Sequence, residues 1–478
     1  MKKFLFFLLV AHSSQLVAYS QSVGIGTTNP GSSSILDVQS NNKGVLLPRM
    51  TTAQRKAILN PETGLLVYDI DKKSVMMFEG TKWGQLYFKD SEFTEPAPKS
   101  IVGGESYDNF GNAVSISGDY AVAGAYRDDV AGKTNQGSAF VFHRINGSWV
   151  QEAQLIAADG AANDLFGYSV SISGNYIVVG APEDQVGSNI EQGSVYVFVR
   201  NGTNWSQQHK FVAPDGAAED HFGFSVSMSA NQFIVGSPDD DYPAYPDMGS
   251  VTFYLLTGNS WAQEIKLNGT GPAPNDHFGW SVAINFNSAI VGAPGDVNPP
   301  DLLGSAQIFT KIVGWSAGQK LVPSQQSAAS FGNSVAIDQT TVAVSQILSA
   351  GGLGGIYAQG RVYVYVPGAF GIWFEQTYID EPNFAFAHFF GKSLSLSGDN
   401  LVVGAAKELT QPQGSDSAHV VFYKRTGTVW EEQLITYNGS PSNNGAFGFA
   451  VAINGFNIII GAPKKQTQKG EVNFMNIE

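Results

Sequence analysis

The stretch Asp220–Pro238, DHFGFSVSMSANQFIVGSP, is one of several near-copies of a single pattern. DLFGYSVSISGNYIVVGAP begins 56 residues earlier at Asp164, and DHFGWSVAINFNSAIVGAP begins 56 residues later at Asp276. A fixed period is typical of repeat architectures, in which each copy is one supersecondary unit that buries its apolar faces only against its neighbours. The chain is therefore interpreted as an array of such units.

A Phe-Gly pair marks each unit, and successive pairs are spaced by 56, 56, 56, 53, 59 and 57 residues. The phenylalanines of these pairs are predicted to be structural: Phe110, Phe166, Phe222, Phe278, Phe331, Phe390 and Phe447. Each unit has an alternating run, an apolar run that ends in Gly-Ala-Pro or a relative, a second alternating run and a Trp-led run. Four short runs with period-two patterning predict a four-stranded antiparallel sheet. Seven such sheets predict an all-β, seven-bladed β-propeller.

The two ends of the repeat array indicate a closed ring. The last unit ends in GEVNFMNIE without a Trp-led run, whereas EGTKWGQLYF, residues 79–88, precedes the first unit. A ring needs its last blade to be completed by the opposite terminus, and a linear solenoid does not. We therefore expect the propeller to span residues 79–478, with the strand around Trp83 as the structural element that closes blade seven.

The units resemble the FG-GAP repeat, which is named for the two signatures quoted above. This resemblance implies the seven-bladed propeller of integrin α chains and of many bacterial surface proteins, and with it a role in cell adhesion. Integrin-like blades often carry Asp-x-Asp-x-Asp-Gly calcium loops between their first two strands. Here those turns read SGDY, SGNY and SANQ in three of the blades, and they lack the carboxylates that surround Ca²⁺. No cofactor is expected, and Ca²⁺ is unsupported by the usual family loops.

Residues 1–20 are predicted to be a secretory signal peptide, because Lys2 and Lys3 precede a short apolar run and small residues follow at Ala18 to Ser20. We therefore expect an exported protein that is extracellular or at the cell surface. The formal net charge of −14 argues against nucleic acid and anionic membranes as partners. No segment is long and apolar enough for membrane insertion, and the absence of cysteine excludes disulfides.

Residues 21–78 are predicted to form a small, mostly β N-terminal module. Within it TTAQRKAIL indicates a short helix with a capping box from Thr51 to Gln54. VGIGTTNP and GVLLPRMTTAQRKAI resemble a small N-terminal module of bacterial surface and tail-fibre-like proteins. The resemblance implies an attachment role, and oligomerisation through this module is an open expectation.

The predicted strand order places the second-to-third and fourth-to-first connections of every blade on one face, the long-loop face. The tight turns lie on the opposite, short-turn face. Recognition usually resides in long loops on a rigid scaffold. The candidate ligand-binding residues are Asp128, Asp129, Glu183, Asp184, Asp239, Asp240, Asp241, Tyr242, Tyr245, Asp247 and Asp296. A basic partner, or a cation at Asp239, Asp240 and Asp241, is one hypothesis, and a solvated acidic rim that keeps the protein soluble is the alternative.

Two further sets of residues repeat beside the Phe-Gly pairs, and both are interpreted as structural. The first is an aspartate two residues before the pair, at Asp108, Asp164, Asp220 and Asp276. Such a carboxylate can accept backbone N–H bonds in the turn that leads into the inner strand. The second is His221 and His277, which we expect to pack or hydrogen-bond rather than to bind zinc.

The chain contains no catalytic signature, and a cysteine nucleophile is excluded. The sequence therefore predicts a non-enzymatic binding or adhesion protein that recognises protein or glycan through the long-loop face. Two alternatives stay open. One is a carbohydrate-active propeller enzyme that uses face carboxylates. The other is a purely structural surface module.

Overall fold

A computed structural model of the chain describes residues 23–25, 36–72, 74–78, 80–85, 99–102, 107–298, 302–324, 330–347, 360–368, 371–381, 389–406, 418–437, 446–463 and 469–477. The predicted signal peptide, residues 1–20, lies outside these ranges. The chain divides into two compact units, Met1–Phe93 and Thr94–Glu478. Across the described ranges, no helix has the length and apolar character needed to cross a membrane.

The first unit contains two small sheets and one helix. Strands β1 (Val23–Ile25) and β2 (Leu36–Val38) pair in parallel. The second sheet has the order β3 (Arg49–Met50), β4 (Leu66–Asp69), β5 (Ser74–Phe78) and β6 (Trp83–Gln85). The helix α1 is Thr52–Lys56. The Thr51 side chain accepts from the Gln54 backbone N–H and the Gln54 side chain accepts from the Thr51 N–H, so the predicted capping box is confirmed.

Trp83 belongs to the first unit, and the prediction that it closes the propeller is wrong. Its strand β6 pairs with β5, and its ring lies 5.4 Å from the Phe78 ring and 5.2 Å from the Arg55 guanidinium. The Arg55 Nε in turn donates to the buried Asp69 carboxylate at 2.8 Å. These partners hold β6 in the N-terminal unit, which extends to Phe93 rather than ending at residue 78.

The second unit is built from four-stranded antiparallel arrangements that follow one another along the chain. The first three consist of β8 (Val114–Ser117), β9 (Tyr120–Ala125), β10 (Ser138–Ile145) and β11 (Ser148–Leu155); β12 (Ser169–Ser173), β13 (Tyr176–Ala181), β14 (Ser194–Asn201) and β15 (Asn204–Phe211); and β16 (Ser225–Ser229), β17 (Gln232–Ser237), β18 (Ser250–Thr257) and β19 (Ser260–Leu267). We number these blades one to three in chain order.

The next three blades repeat the same order of strands. They consist of β20 (Ser281–Asn285), β21 (Ser288–Asn298), β22 (Leu302–Lys311) and β23 (Trp315–Leu321); β24 (Ser330–Asp338), β25 (Thr341–Ile347), β26 (Arg361–Pro367) and β27 (Trp373–Asp380); and β28 (Phe390–Ser397), β29 (Asn400–Ala405), β30 (His419–Thr426) and β31 (Val429–Tyr437). A single parallel bridge between Gly304 and Phe331 links blades four and five.

The last blade is shared between the two ends of the second unit. It contains β32 (Ala450–Asn454), β33 (Asn457–Gly461) and β34 (Glu471–Asn476), and its fourth strand is β7 (Lys99–Val102). β7 pairs antiparallel with β34, from Val102 opposite Glu471 to Lys99 opposite Phe474. An N-terminal strand therefore completes blade seven, as a closed ring requires, but the strand is β7 and not the one around Trp83.

The two signatures of the repeat meet at six of the blade junctions, and between blades five and six Ser345 takes the place of the first glycine. Gly180 of one Gly-Ala-Pro lies so close to Gly223 of the next Phe-Gly that an added Cβ would stand 2.0 Å from the Gly223 carbonyl oxygen. Gly223 also has a φ of +97°, which only glycine adopts without strain. The same approach recurs at Gly124–Gly167, Gly236–Gly279, Gly292–Gly332, Gly404–Gly448 and Gly461–Gly111. The last of these joins blade seven to blade one.

Inner-strand serines provide a second link between neighbouring blades. Ser171 Oγ accepts from the Met228 backbone N–H of the next inner strand at 2.9 Å. The equivalent bonds join Ser115 to Ile172, Ser227 to Ile284, Ser334 to Leu394 and Ser395 to Ile453. From blade seven, Asn454 Oδ1 accepts from the Gly118 N–H of blade one. Serines thus bond the inner strands at five junctions, and asparagines do so at the other two, with Asn285 Nδ2 donating to Asp338 Oδ1 between blades four and five.

The apolar core lies between successive blades. The second strand of each blade is buried on both faces, as Ile177, Val178 and Val179 of β13 show. All seven phenylalanines of the Phe-Gly pairs are buried as well, in agreement with a structural role. Repeated four-stranded sheets that bury both faces against their neighbours and close on themselves make a β-propeller. This rigid ring carries the loops that form the candidate site.

Candidate functional site

One carboxylate at the start of each second-to-third loop of blades one to four is engaged inside its own blade. Lys266 Nζ lies 2.6 Å from Asp240 and 2.9 Å from Asp215, although burial opposes its charge. The hydrogen bonds to these two aspartates outweigh burial and raise the Lys266 pKa. The equivalent partners are Lys210 for Asp184, Lys320 for Asp296, and Ser138 with Gln154 for Asp128. Asp128, Asp184, Asp240 and Asp296 are therefore partners within the fold, and their assignment as ligand contacts stays a prediction.

The aspartates two residues before Phe-Gly are turn residues, as predicted. Asp220 Oδ2 accepts from the Ala217 backbone N–H at 2.6 Å, and Asp164 and Asp276 make the same bond to Ala161 and Ala273. Burial raises the pKa of Asp220 and of Asp276 to about 6, and repulsion from a neighbouring carboxylate adds to this effect. These side chains are buried and hold the turn that leads into the inner strand.

Asp239 differs from its neighbours because it bridges two histidines. Its two carboxylate oxygens lie 2.8 Å from His221 Nδ1 and 2.8 Å from His277 Nδ1. Burial alone raises the Asp239 pKa, but the hydrogen bonds from both histidines outweigh it and lower that pKa to about 2. The same bonds are the main reason why the pKa of each histidine is raised. The prediction that these histidines form hydrogen bonds is confirmed.

The three consecutive aspartates do not converge on a common point. Asp239 contacts the two histidines, Asp240 contacts Lys266, and Asp241 Oδ1 accepts from the Asp247 backbone N–H at 2.9 Å. Among the described residues, no group of three or more His, Cys, Asp or Glu side chains could hold a metal ion. The hypothesis of a cation at Asp239, Asp240 and Asp241 is therefore not supported by their geometry.

The remaining predicted ligand contacts lie on the second-to-third loops of blades one to three. Tyr242 and Tyr245 form a two-residue bridge at the tip of their loop, and Tyr242 is exposed. Asp129 Oδ1 accepts from the Asn135 N–H, the same bond that Asp241 makes two blades later. Burial raises the pKa of Glu183, and repulsion from Glu191 raises it further. The long loops are thus internally braced and offer only part of their charge outward.

Four aromatic side chains line the opening of the propeller on the long-loop face. They were not among the residues predicted from the sequence. Tyr168, Phe224 and Trp280 directly follow Phe-Gly pairs and precede the inner strands β12, β16 and β20, and Tyr126 follows β9. The centroids of neighbouring rings are 5.4, 5.1 and 4.8 Å apart from Tyr126 to Trp280. All four side chains are half-buried. We call these four residues the aromatic arc.

A signal for the arc was present in the repeat. The position after Phe-Gly holds Tyr, Phe and Trp in blades two to four, whereas blades one and five have Asn112 and Asn333. Trp280 lies 6.1 Å from the His277 ring, so the arc adjoins the histidines that Asp239 bridges. Blade seven has Phe449 there, but because the position is polar in blades one and five the fold does not require an aromatic ring, and the position is a candidate for function.

Comparison with protein families matches two regions of the chain. The FG-GAP repeat matches residues 102–142, 149–198, 205–254, 261–309 and 315–365, and a phage tail like trimerisation region matches residues 24–99. Four of the repeats begin at the Trp of an outer strand, and the first begins in β7, in agreement with the role of β7 as an outer strand. A search of curated proteins gives no match. The five repeats together span half of the chain, which therefore belongs to the FG-GAP repeat family.

Proposed function

We propose that this chain is an exported, non-enzymatic recognition protein that binds a basic segment of a partner protein at the aromatic arc. The observation that carries the proposal is the arc itself, a row of four half-buried rings at the mouth of a rigid propeller. Rings partly open to solvent on a scaffold of this kind supply contact area with little loss of conformational entropy on binding. FG-GAP repeats suggest a propeller that is used for binding or adhesion.

Charge around the arc supports a cationic side chain as the group that is bound. Glu191 and Asp247 lie close enough to raise the pKa of His221 and His277, respectively. No lysine or arginine within the described ranges forms an ion pair with either carboxylate. A guanidinium or ammonium group over these rings would gain cation–π attraction as well as attraction to the carboxylates. A neutral glycan, the alternative ligand, could stack on the same rings but would gain no attraction from these carboxylates.

A carbohydrate-active enzyme is less well supported. Such an enzyme needs two carboxylates that face a common substrate. Asp240 and Asp184 are paired with lysines, Asp239 is bonded to two histidines, and Asp220 holds a turn. FG-GAP repeat domains are generally non-enzymatic.

Display on a trimer follows from the N-terminal unit. A trimerisation-region match covers residues 24–99, and large apolar side chains of this unit face solvent, with Leu46 80% and Leu59 90% exposed. Strands β1 and β2 form a two-stranded sheet, which is marginal in water unless other strands or chains cover it. Three copies would present three arcs, and avidity would strengthen weak individual contacts. Export rests on the predicted signal peptide alone.

The test is binding of the full chain to one array that carries Arg- and Lys-rich peptides, acidic peptides and glycans. Trp280→Ala should weaken binding to basic peptides by about tenfold or more, since a desolvated cation–π contact contributes about 2 kcal/mol. The matched control is Phe286→Ala, because Phe286 is an exposed aromatic residue of the same blade in the tight turn between β20 and β21.

Two results would contradict this function. Equal binding by the Trp280 and Phe286 variants would remove the arc from the binding site. Binding to glycans, with none to basic peptides, would replace the ligand class. Sedimentation of the full chain as a monomer at micromolar concentration would overturn the trimer and leave the arc to be judged by the array.

A further inference from the structure

We propose that Asp239 is a positioning residue for the aromatic arc. It holds together the two turns that fix the positions of the Phe224 and Trp280 rings, and its bonds to the histidines of those turns strengthen as pH falls. This role deepens the proposed function, and it rests on that function in one respect only, namely that the arc is a binding site. We call His221, Asp239 and His277 the clamp. Its geometry is independent of any ligand.

The clamp joins three segments that are distant in sequence. His221 lies in the turn that leads into blade three, His277 lies in the turn that leads into blade four, and Asp239 begins the long loop of blade three. Both histidines have a φ of +52°, a left-handed conformation that is uncommon for residues other than glycine. Asn109 and Leu165 adopt the same conformation in register without a clamp, so the two side-chain bonds of 2.8 Å do not create it but tie two such turns to one carboxylate.

Each histidine is coupled through the backbone to one ring of the arc. The Phe224 N–H donates to the His221 carbonyl at 3.0 Å, and the Trp280 N–H donates to the His277 carbonyl at 3.1 Å. Displacement of either histidine therefore moves the residue three positions later. Asp239 does not contact a ligand in this scheme, and it acts through the histidines on the spacing of the two rings.

Among the described residues, no equivalent clamp exists at the positions in register with Asp239 in blades one, two and four. Blade one has Arg127, blade two has Glu183 and blade four has Gly295 at that position. The histidine position holds Asn109 in blade one and Leu165 in blade two. The clamp is therefore a property of the junction between blades three and four and is not required by the repeat.

The sign of the pH response follows from the groups that face the clamp. Asp239, Glu191 and Glu183 face His221, with the Glu191 carboxylate 3.5 Å from His221 Nε2, and Arg127 lies near Glu183. Asp239 and Asp247 face His277. The hydrogen bonds to Asp239 raise both histidine pKa values, so protonation strengthens the clamp. Asp239 stays ionised throughout, since its pKa is lowered to about 2. The clamp is tightest at mildly acidic pH and weakens as pH rises through the histidine pKa values.

The experiment measures the clamp without ligand, in the full chain labelled with isotopic histidine and with 5-fluorotryptophan. His221→Gln, His277→Gln and Trp280→Phe assign the three signals. In the unmodified protein, the Trp280 ¹⁹F signal should shift with pH along the same curve as His277. Asp239→Asn should lower both histidine pKa values by about one to two units and move the Trp280 transition with them.

Asp241→Asn is the matched control, because it removes one carboxylate from the same loop and its partner is the Asp247 backbone N–H. It should leave both histidine pKa values and the Trp280 curve near those of the unmodified protein. A Trp280 signal that ignores pH, or that is unchanged in Asp239→Asn while the histidine pKa values fall, would overturn the proposal. If Trp280 responds as expected while the array gives no binding, the positioning role stands and the proposed function fails.

Discussion

Asp239 and Asp240 are adjacent on one loop, yet they belong to different parts of the molecule. Asp240 is buried against Lys266, and the same carboxylate recurs at 56-residue intervals as Asp128, Asp184 and Asp296. Asp239 is partly open, bonds to two histidines, and is replaced in neighbouring blades by Arg, Glu and Gly. The repeated position contributes to the internal packing of each blade, whereas the variable position contributes to the surface of the long-loop face.

The same distinction holds across the ring. The glycines of the two signatures recur because a Cβ at those sites would overlap the backbone of the next blade. The residue after Phe-Gly changes between blades, and there the aromatic arc is found. Within one chain, identity between copies indicates the packing of a blade, and we propose that divergence between copies on the long-loop face indicates recognition. Substitutions at the two kinds of position should therefore differ in kind as well as in size.

The largest effect is expected at a glycine junction. A Cβ at Gly236 would stand 2.1 Å from the Gly279 carbonyl oxygen, so Gly236→Ala forces two blades apart. We expect the free energy of unfolding, measured by urea titration, to fall by more than about 3 kcal/mol. Gly258→Ala is the control, because Gly258 also lacks a side chain but has open space around it and a φ of +63°. It should lose only about 1 kcal/mol. Equal losses would show that the Gly–Gly approach does not limit blade packing.

A smaller effect, with a pH dependence, is expected at a repeated carboxylate. Burial raises the Asp220 pKa to about 6, so the folded state binds this proton more tightly than the unfolded chain does. Protonation of Asp220 therefore stabilises the fold fully below the pKa that Asp220 has in the unfolded chain, and this stabilisation is lost as pH rises from about 4 to 6. Asp220→Asn mimics the protonated form and can still accept from the Ala217 N–H. Relative to the unmodified protein, the variant should gain about 2 kcal/mol between pH 4.5 and pH 7.5.

Asp215→Asn tests the sign of that result. Burial raises the Asp215 pKa, but the bond from Lys266 outweighs it and lowers that pKa. The ionised Asp215 carboxylate therefore stabilises the fold above the pKa that it has in the unfolded chain, and this stabilisation is lost as pH falls. Asp215→Asn should lower the free energy of unfolding more at pH 7.5 than at pH 3.5. Urea titrations at each pH measure both. Parallel pH profiles for the two variants would contradict the assignment of the two aspartates to different environments.

The fold was predictable because the sequence signatures are themselves the contacts between blades. Phe-Gly and Gly-Ala-Pro recur since backbone meets backbone there, and the inner serines recur since their hydroxyls bond the next strand. The closing strand was missed because KSIV of β7 carries no Trp, whereas EGTKW matches the outer-strand pattern in the wrong unit. Four residues of β7 contain too little patterning to identify a strand.

The candidate site was only partly predictable. The sequence indicated the acidic face, but Asp239 and Asp240 look alike until their partners Lys266 and His277 are known, and those partners come from other strands and turns. One clue was present in register, since Lys210 and Lys266 repeat at the same interval as Asp184 and Asp240. The bridge from Asp239 to two histidines depends on loop conformations with positive φ, which pattern and composition do not specify.

The smallest effect on stability is expected at the junction between blades three and four, where one packing residue differs from its equivalent at the preceding junction and is not part of the surface of the long-loop face. Gln192 Nε2 donates to the Ala213 carbonyl at 3.1 Å between blades two and three, and the residue in register between blades three and four is Met248, which cannot donate. A small pocket lies there, lined by Met248, Gly269, Asp276 and Gln307 among others. Within the described residues, Asp276 Oδ1 and Gln307 Nε2 are buried there without a hydrogen-bond partner.

Met248→Gln should therefore raise the free energy of unfolding by about 0.5 to 1 kcal/mol, because the amide can donate to the Gly269 carbonyl as Gln192 does to Ala213. The reverse change, Gln192→Met, should lower it by about 1 kcal/mol, since the Ala213 carbonyl keeps only the Gly216 N–H as donor and the Asn189 amide loses Gln192 Oε1 as an acceptor. Both variants should leave the Trp280 signal and its pH curve unchanged, because this junction belongs to the packing of the blades. A shift of the Trp280 signal in Met248→Gln would show instead that the packing of this junction and the aromatic arc are coupled, and the division between repeated and divergent positions would not hold there.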